Sequence, residues 1–510
     1  MSQVDKFIRR YSFKRRLGLF LGPFLALILL FFFDLEKQNP LVTRAAAVAI
    51  LMAVWWITEA IPIAATALVP VVLFPFLGIM SGRSTAAIYF NNIIFLFIGG
   101  FIVALAMQKW GLHRRIALRI IMLIGVSPQK IFLGFMVATA FLSMWISNTA
   151  TTMMMIPIAL AIITKLEDDF GKEATGNLSV GLLIGIAYAA SIGGIATLIG
   201  TPPNPLFISM FNISFPDAPE ISFADWMVFG LPFSVVFLFI AWRLLVLMYA
   251  PKRHSFKADI SLFRAEHKKL GKMKYEEKVI LLAFCLLTVL WLLRKDINIG
   301  TFVIPGWTRI MPEAGFIDDG TIAIFISLLL FIIPARSGEG GRVMDWKTAV
   351  RLPWGIVLLF GGGFALASGF RESGLAVWLG GQLTGLSLFP PILIVVAVCL
   401  MMTFLTELTS NTATTEMILP ILASLAVAIR INPLLLMIPA TLSASCAFML
   451  PVATPPNAII FGTERVSMRH LVRAGVILNF LGAILITAAV YLLAQYVFNI
   501  DPGVFPEWAE

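Results

Sequence analysis

The sequence predicts an all-α polytopic membrane protein: about 11 transmembrane helices plus two re-entrant hairpins in an inverted-topology repeat. Three observations carry this. First, 59% of the 510 residues are hydrophobic and only 13% are charged, whereas a soluble domain is roughly one quarter charged. So few charges cannot cover so much apolar surface in water. That excludes a soluble enzyme, a nucleic-acid binder and a disordered chain. Second, apolar stretches of span length recur along the whole chain. Third, the same sequence blocks recur in the same order in the two halves.

Residues 1–16 carry Lys6, Arg9, Arg10, Lys14, Arg15 and Arg16, and the apolar run 17–33 follows. The basic segment is long for a signal peptide and no A-x-A site precedes Asp34. Residues 1–43 are therefore expected to form a cytoplasmic N-terminal segment and the first span. The first repeat, 44–250, holds apolar stretches at about 44–60, 62–80, 92–108, 179–212 and 226–250. A basic cytoplasmic linker covers 251–275. The second repeat, 276–498, holds stretches at about 276–293, 320–334, 353–370, 434–463 and 474–498, before an extracytoplasmic tail at 499–510.

Two more apolar stretches, about 131–164 and 390–429, are too long for one straight span and have polar centres. Each is expected to enter and leave on one side as a hairpin. Non-helical backbone at that depth is tolerated only where protein or water surrounds it. Charge supports this layout. With neither hairpin crossing, 29 of the 38 Lys and Arg lie on the cytoplasmic side and 8 on the other, the bias expected of a membrane protein. The net charge of +10 is thus a matter of topology. Cys285, Cys399 and Cys446 show no CxxC spacing and are expected to be core thiols. His113, His254, His267 and His470 show no metal-ligand spacing.

The repeat is explicit. Ser147-Asn148-Thr149-Ala150-Thr151-Thr152 recurs as Ser410-Asn411-Thr412-Ala413-Thr414-Thr415, at an offset of 263. IFLFIGGF at 94–101 matches VLLFGGGF at 357–364 at the same offset. Thr201-Pro202-Pro203-Asn204 recurs as Thr454-Pro455-Pro456-Asn457, at an offset of 253. Each copy would hold five crossings and one hairpin. Five is odd, so the second copy inserts upside down, as in many secondary transporters.

The hairpin tips and the Pro-Pro breaks carry the candidate chemistry. A lone Ser or Thr in a membrane helix ordinarily bonds back to its own carbonyls. Asn is costly in hydrocarbon, and its pairing with Ser and Thr at two equivalent tips points to a ligand. Backbone N–H groups, hydroxyls and the positive end of the following helix can hold an oxyanion there. Tandem prolines remove two N–H donors and unwind the span. Unwound carbonyls at half depth suit a small hard cation. No Lys, Arg or His lies in either motif, so an anion at mid-membrane needs positive charge from elsewhere. Bound cations would supply it, and two facing tips suggest two anionic groups such as two carboxylates. Three acidic residues lie in apolar stretches, Glu59, Glu407 and Glu416. They could be proton or cation sites. Glu59 is expected at a span end. Glu407 and Glu416 are expected to anchor the second hairpin by hydrogen bonds, since the first tip has Met144 and Met153 in their places.

At these residues the sequence resembles the divalent anion/sodium symporter family, which includes bacterial and animal sodium-coupled dicarboxylate transporters. The resemblance covers nearly the whole chain. It rests on the paired Ser-Asn-Thr motifs, the Pro-Pro-Asn breaks, WWITEAIP at 55–62 and CAFMLPVATPPNAIIFGT at 446–463. It implies a homodimer of protomers split into scaffold and mobile transport domains, working as an elevator. With no cleavable signal seen, the expected location is a bacterial inner membrane or a plasma membrane. It implies substrate contacts from Ser147, Asn148, Thr149, Thr201, Pro202, Ser410, Asn411, Thr412, Thr454 and Pro455. It further implies one sodium ion at Ser143, Ser147, Asn148 and the Gly200 carbonyl, and a second at Thr406, Thr409, Asn411 and the Ala453 carbonyl. Thr409 would act through its carbonyl.

The expected function is sodium-coupled uptake of a C4-dicarboxylate such as succinate, malate or fumarate. Citrate, sulfate, proton coupling and exchange stay open. Basic side chains, expected in place of sodium in exchangers, are missing here. A membrane enzyme would need a nucleophile–base or metal set, and no His or Cys sits in either motif. A channel would need no duplicated broken-hairpin site.

Overall fold

The structure is a computed structural model describing residues 3–125, 127–250, 260–299, 302–337 and 341–510. His254 and the first part of the basic linker, 251–259, lie outside these residues. The chain begins with α1 (Gln3–Phe32), α2 (Pro40–Thr58), α3 (Ile63–Thr66), α4 (Val69–Phe76) and α5 (Gly82–Ile88). Then come α6 (Asn92–Lys109), α7 (Leu112–Ile124), α8 (Pro128–Ser143), α9 (Asn148–Phe170), α10 (Lys172–Gly194), α11 (Pro203–Ser214) and α12 (Phe223–Tyr249). The second half runs α13 (Ile260–Lys269), α14 (Tyr275–Leu292), the antiparallel strands β1 (Ile297–Ile299) and β2 (Phe302–Ile304), α15 (Asp319–Ile332) and α16 (Trp346–Ala349). It closes with α17 (Trp354–Ser373), α18 (Leu375–Gln382), α19 (Pro391–Thr406), α20 (Asn411–Ala428), α21 (Leu434–Ala444), α22 (Pro455–Phe461) and α23 (Met468–Ala489).

Among the described residues, nine helices are long and apolar enough to cross a membrane. The all-α expectation holds apart from the short ribbon β1–β2, which sits in a polar loop. The expected single span at 62–80 is different: the chain turns at Ala67 and Leu68, between α3 and α4. Ile63–Phe76 would reach only about 21 Å at 1.5 Å per residue, short of the roughly 30 Å hydrocarbon core. The two prolines of α4, Pro70 and Pro75, fit such short pieces. The first helix starts earlier than expected and takes in the basic segment.

The duplicated sequence gives duplicated local structure. α6 leads into α7 through Gly111 at φ 76°, and α17 into α18 through Gly374 at φ 79°. Both glycines adopt a left-handed conformation that other residues reach at a cost. A side chain at Gly111 would meet nothing nearby, so backbone conformation alone explains it. Both hairpins form, with arms α8 and α9 around residues 144–147 and arms α19 and α20 around 407–410. The arms α8 and α19 have 16 residues each, about 24 Å of helix, too short to cross alone.

The two broken spans form the interior. An 18-residue stretch of α10 within Thr175–Gly194 is 89% buried, and every residue of α21 is buried. α10 packs against α8, α9, α12 and α22, and α21 against α11, α19, α20 and α23. The second half of each broken span packs on the other repeat's hairpin, α11 on α20 and α22 on α9. This crossing brings tips and breaks of both repeats to one region.

Candidate cation and anion site

In the first repeat, Ser147 caps α9, its hydroxyl accepting from Ala150 N at 3.3 Å. Ser147, Asn148 and Thr149 are half-buried. Ser143, one turn before the tip, donates to Asn148 Oδ1 at 2.6 Å. Asn148 has two amide orientations, which ask different things of their surroundings. With its nitrogen inward it donates to Ser143 Oγ at 2.6 Å, Ala190 O at 3.0 Å and Gly200 O at 3.2 Å. With its oxygen inward it joins that same ring of oxygens. An amide can fill the ring, and so can a small cation beside the amide oxygen.

The second repeat rebuilds this arrangement. Thr406, equivalent to Ser143, donates to Asn411 Oδ1 at 2.5 Å and to Ala444 O at 3.2 Å. One hydroxyl proton is thus shared between two acceptor oxygens. The backbone carbonyl that accepts from the Thr406 side chain is that of Ala444, at the end of α21, a carbonyl that the sequence does not single out. In the first repeat Ala190, in the last turns of α10, has the matching place, beside the expected Gly200. Thr409 is buried, and its hydroxyl donates to Leu405 O at 2.8 Å and lies 2.5 Å from Thr414 Oγ1. It is turned into its own hairpin and leaves only its carbonyl for other work. Ser410 stands at the N-cap of α20 without capping it, and Thr412 is buried.

The breaks lie between α10 and α11 and between α21 and α22. Gly200 fits the first break tightly, for an added Cβ would lie 2.5 Å from Gly194 O. Buried Thr201 lies 3.4 Å by its hydroxyl from Ser445 Oγ, joining the two breaks. Pro202 is half-buried and Pro455 exposed. Thr454 caps α22, accepting from Asn457 N at 3.3 Å.

The asparagines of the Thr-Pro-Pro-Asn blocks have a task that the sequence alone does not reveal. Asn204 Nδ2 donates to Gly194 O, Ile195 O and Thr197 O at 3.3, 3.3 and 2.7 Å. Asn457 Nδ2 donates to Ala447 O at 3.1 Å and Leu450 O at 3.2 Å. Each amide replaces helix donors that unwinding removed, so each break holds one shape. The signal was the recurrence of the fourth residue in both blocks.

Each tip is also tied to its break. Thr197 donates to Met144 O in the first repeat. In the second, Glu407 accepts from Phe448 N at 2.7 Å, Met449 N at 2.8 Å, Leu450 N at 2.9 Å and Asn479 Nδ2 at 2.8 Å. The expected anchoring role of Glu407 fits this geometry. Glu416 does not anchor by hydrogen bonds: it is fully buried and neither carboxyl oxygen has a partner. Glu59 caps α2 in a left-handed conformation and meets Arg15 at 3.4 Å.

Positive side chains are kept away from the tips. No Lys, Arg or His appears among the contacts given above for the tips and breaks, and among the described residues no group of His, Cys, Asp or Glu could hold a metal ion. Charged pairs sit near helix ends, such as Arg115 with Glu277 at 2.9 Å and Lys109 with Asp345 at 2.6 Å. The Lys109 ammonium holds the Asp345 carboxyl below its usual range. An oxygen-rich cluster without cationic side chains, at two helix N-termini, can bind small cations and, with them, an anion.

Comparison with known proteins agrees with this chemistry. A Staphylococcus saprophyticus protein named sodium-dependent dicarboxylate transporter SdcS is 46% identical over 501 residues, covering 97% of this chain and 94% of that protein. Its namesake from Staphylococcus aureus strain MRSA252 is 49% identical over 500 residues, covering 96% and 93%. Two solved structures share the fold at low identity. The Alcanivorax borkumensis YdaH transporter has a TM-score of 0.53 at 12% identity, over 82% of this chain and 88% of that one. Neisseria gonorrhoeae MtrF, described as one of a class of antimetabolite efflux pumps, has a TM-score of 0.53 at 15% identity, over 84% and 85%. The family profile described as the sodium:sulfate symporter transmembrane region matches residues 19–499, and the chain belongs to that family.

Proposed function

We propose that the chain is a secondary active transporter that couples sodium entry to uptake of C4-dicarboxylates such as succinate, malate and fumarate. The observation that carries this is the pair of equivalent oxygen clusters, Ser143–Asn148 and Thr406–Asn411, in a region without cationic side chains. A dianion there needs compensation that bound sodium supplies. Relatives named as sodium-dependent dicarboxylate transporters, at 46% and 49% identity, favour the same cargo.

In this reading one sodium ion binds Ser143, Ser147, Asn148 and the carbonyls of Gly200 and Ala190. The other binds Asn411, Thr406, the Thr409 carbonyl and the carbonyls of Ala453 and Ala444. The carboxylates meet Ser147, Asn148, Thr149, Ser410, Asn411 and Thr412, with Thr201, Pro202, Thr454 and Pro455 on the walls. The hairpins and broken spans move together as an elevator against a scaffold in a homodimer, with the N-terminus in the cytoplasm. Reconstituted protein should take up labelled succinate when sodium is outside. Uptake unchanged when choline replaces sodium would overturn the coupling. A panel of citrate and sulfate, the anion in the family's description, tests the cargo: uptake of sulfate in preference to every dicarboxylate would overturn it.

A further inference from the structure

Glu416 is a buried ionisable group that the proposed transport chemistry leaves unused. It lies on α20, five residues after Asn411. It is 0% exposed, and no hydrogen-bond donor reaches either carboxyl oxygen. Its side chain packs on α17: a Cβ added at Gly363 would lie 2.6 Å from Glu416 Cγ and 2.8 Å from its carboxyl carbon. The glycine makes room for the carboxyl. Pro420, four residues on, has no N–H to offer the Glu416 carbonyl. The equivalent position in the first repeat is Met153, which is 60% exposed, so symmetry does not require a carboxyl here.

Other charges do not neutralise it. Of the elements packed against α20, the helices α11, α18 and α21 carry no Asp, Glu, His, Lys or Arg. α2 brings Arg44, whose guanidinium donates to Leu77 O at 2.9 Å. α17 brings Arg371 and Glu372, which pair with each other at 3.1 Å near its end. α19 brings Cys399, whose thiol lies 3.9 Å from Thr487 Oγ1. Tyr89 packs on α17 at Gly361, two residues from Gly363, and its hydroxyl donates to Ala67 O at 2.5 Å. An ionised carboxylate left in such a place costs far more than one that keeps its proton.

We propose that Glu416 is a protonation site in the seam between α20 and α17. It carries a proton on one carboxyl oxygen while the seam is packed as here, and exchanges it with water when α20 moves relative to α17. This rests on the reading that the hairpin moves. The neutral acid lets an apolar seam slide, and the carboxylate, once wetted, holds it open. Transport then has a proton dependence of its own, apart from ionisation of the cargo.

The test uses fumarate, whose carboxyls are ionised above about pH 6, and the full-length protein in liposomes. Wild-type uptake should fall by up to about ten-fold per pH unit on the alkaline side of the Glu416 titration. E416Q and E416M should flatten that fall while sodium dependence remains. Infrared spectra should show a protonated-carboxyl band in the wild type that E416Q lacks. Identical pH profiles for wild type and E416Q, or identical carboxyl bands, would overturn the proposal. So would a lowered sodium affinity in E416Q with an unchanged pH profile, which would assign a cation instead. If the wild type takes up no fumarate, the transport reading fails, and the infrared comparison still decides the protonation of Glu416.

Discussion

Ser143 donates a 2.6 Å hydrogen bond to the side-chain oxygen of Asn148 across the turn of the first hairpin. The same bond joins Thr406 to Asn411 at 2.5 Å in the second. In both repeats the hydroxyl ends the first arm and the amide begins the second. The pair therefore sets the distance between the arms at the tip, and with it the oxygens that a cation would meet.

The first prediction concerns those amides. Asn148→Ala and Asn411→Ala each remove one ligand oxygen and the acceptor of the tip bond. A hydrogen bond or ligand contact to a charged group contributes about 2 kcal/mol, which corresponds to about thirty-fold in affinity. Sodium titrations followed by thermal shift should show a loss of that size in each variant. Asn148→Asp should lose less, since it keeps an oxygen in place. Wild-type sodium affinity in both alanine variants would reject both cation sites.

Glu407 is expected to act on the break and not on the cargo. Its carboxylate accepts from three successive backbone N–H groups, at Phe448, Met449 and Leu450, and from Asn479. Glu407→Gln keeps the volume and turns an NH₂ group towards donors. The cost is about 2 kcal/mol for lost charge-assisted bonds. The purified variant should melt at lower temperature with or without sodium. A melting temperature equal to that of the wild type would show that the grip on 448–450 contributes nothing.

How much of this was legible in the sequence depends on which atoms do the work. Asn148, Asn411 and the Pro-Pro breaks stood out because costly residue types recur at matched positions in an apolar chain. Ala190 and Ala444 did not, because a side chain reveals nothing about where its own carbonyl points. The break at Ala67 and Leu68 was hidden for a related reason: hydropathy averages over a turn that keeps apolar residues on both sides. Glu416 was visible as an intramembrane carboxyl. Its lack of partners was not, since that depends on Gly363 from a distant helix.

The stapling asparagines give a graded expectation. Asn204 serves three unwound carbonyls and Asn457 two. Each buried carbonyl left without a donor costs about 1–3 kcal/mol. Asn204→Ala should therefore lower the melting temperature more than Asn457→Ala, and both should lose uptake while still inserting into the membrane. Asp at either position should be worse than Ala, because a carboxylate repels the carbonyls that the amide bound. Equal stability of Asn204→Ala and wild type would remove the staple from the account.

Gly200→Ala separates the two cation sites. An added Cβ would lie 2.5 Å from Gly194 O and 2.9 Å from Gly194 Cα. These are backbone atoms at the end of α10 and cannot rotate away, so the break must shift. That moves the Gly200 carbonyl, which lies 3.2 Å from the inward-facing amide atom of Asn148. The second repeat already carries Ala453 at the equivalent position, so its site is built without this close approach. The variant should lose sodium binding at the first cluster and keep it at the second. Uptake plotted against sodium concentration should then become less steep and shift to higher sodium. An unchanged slope and midpoint would mean that the Gly200 carbonyl does not bind the ion.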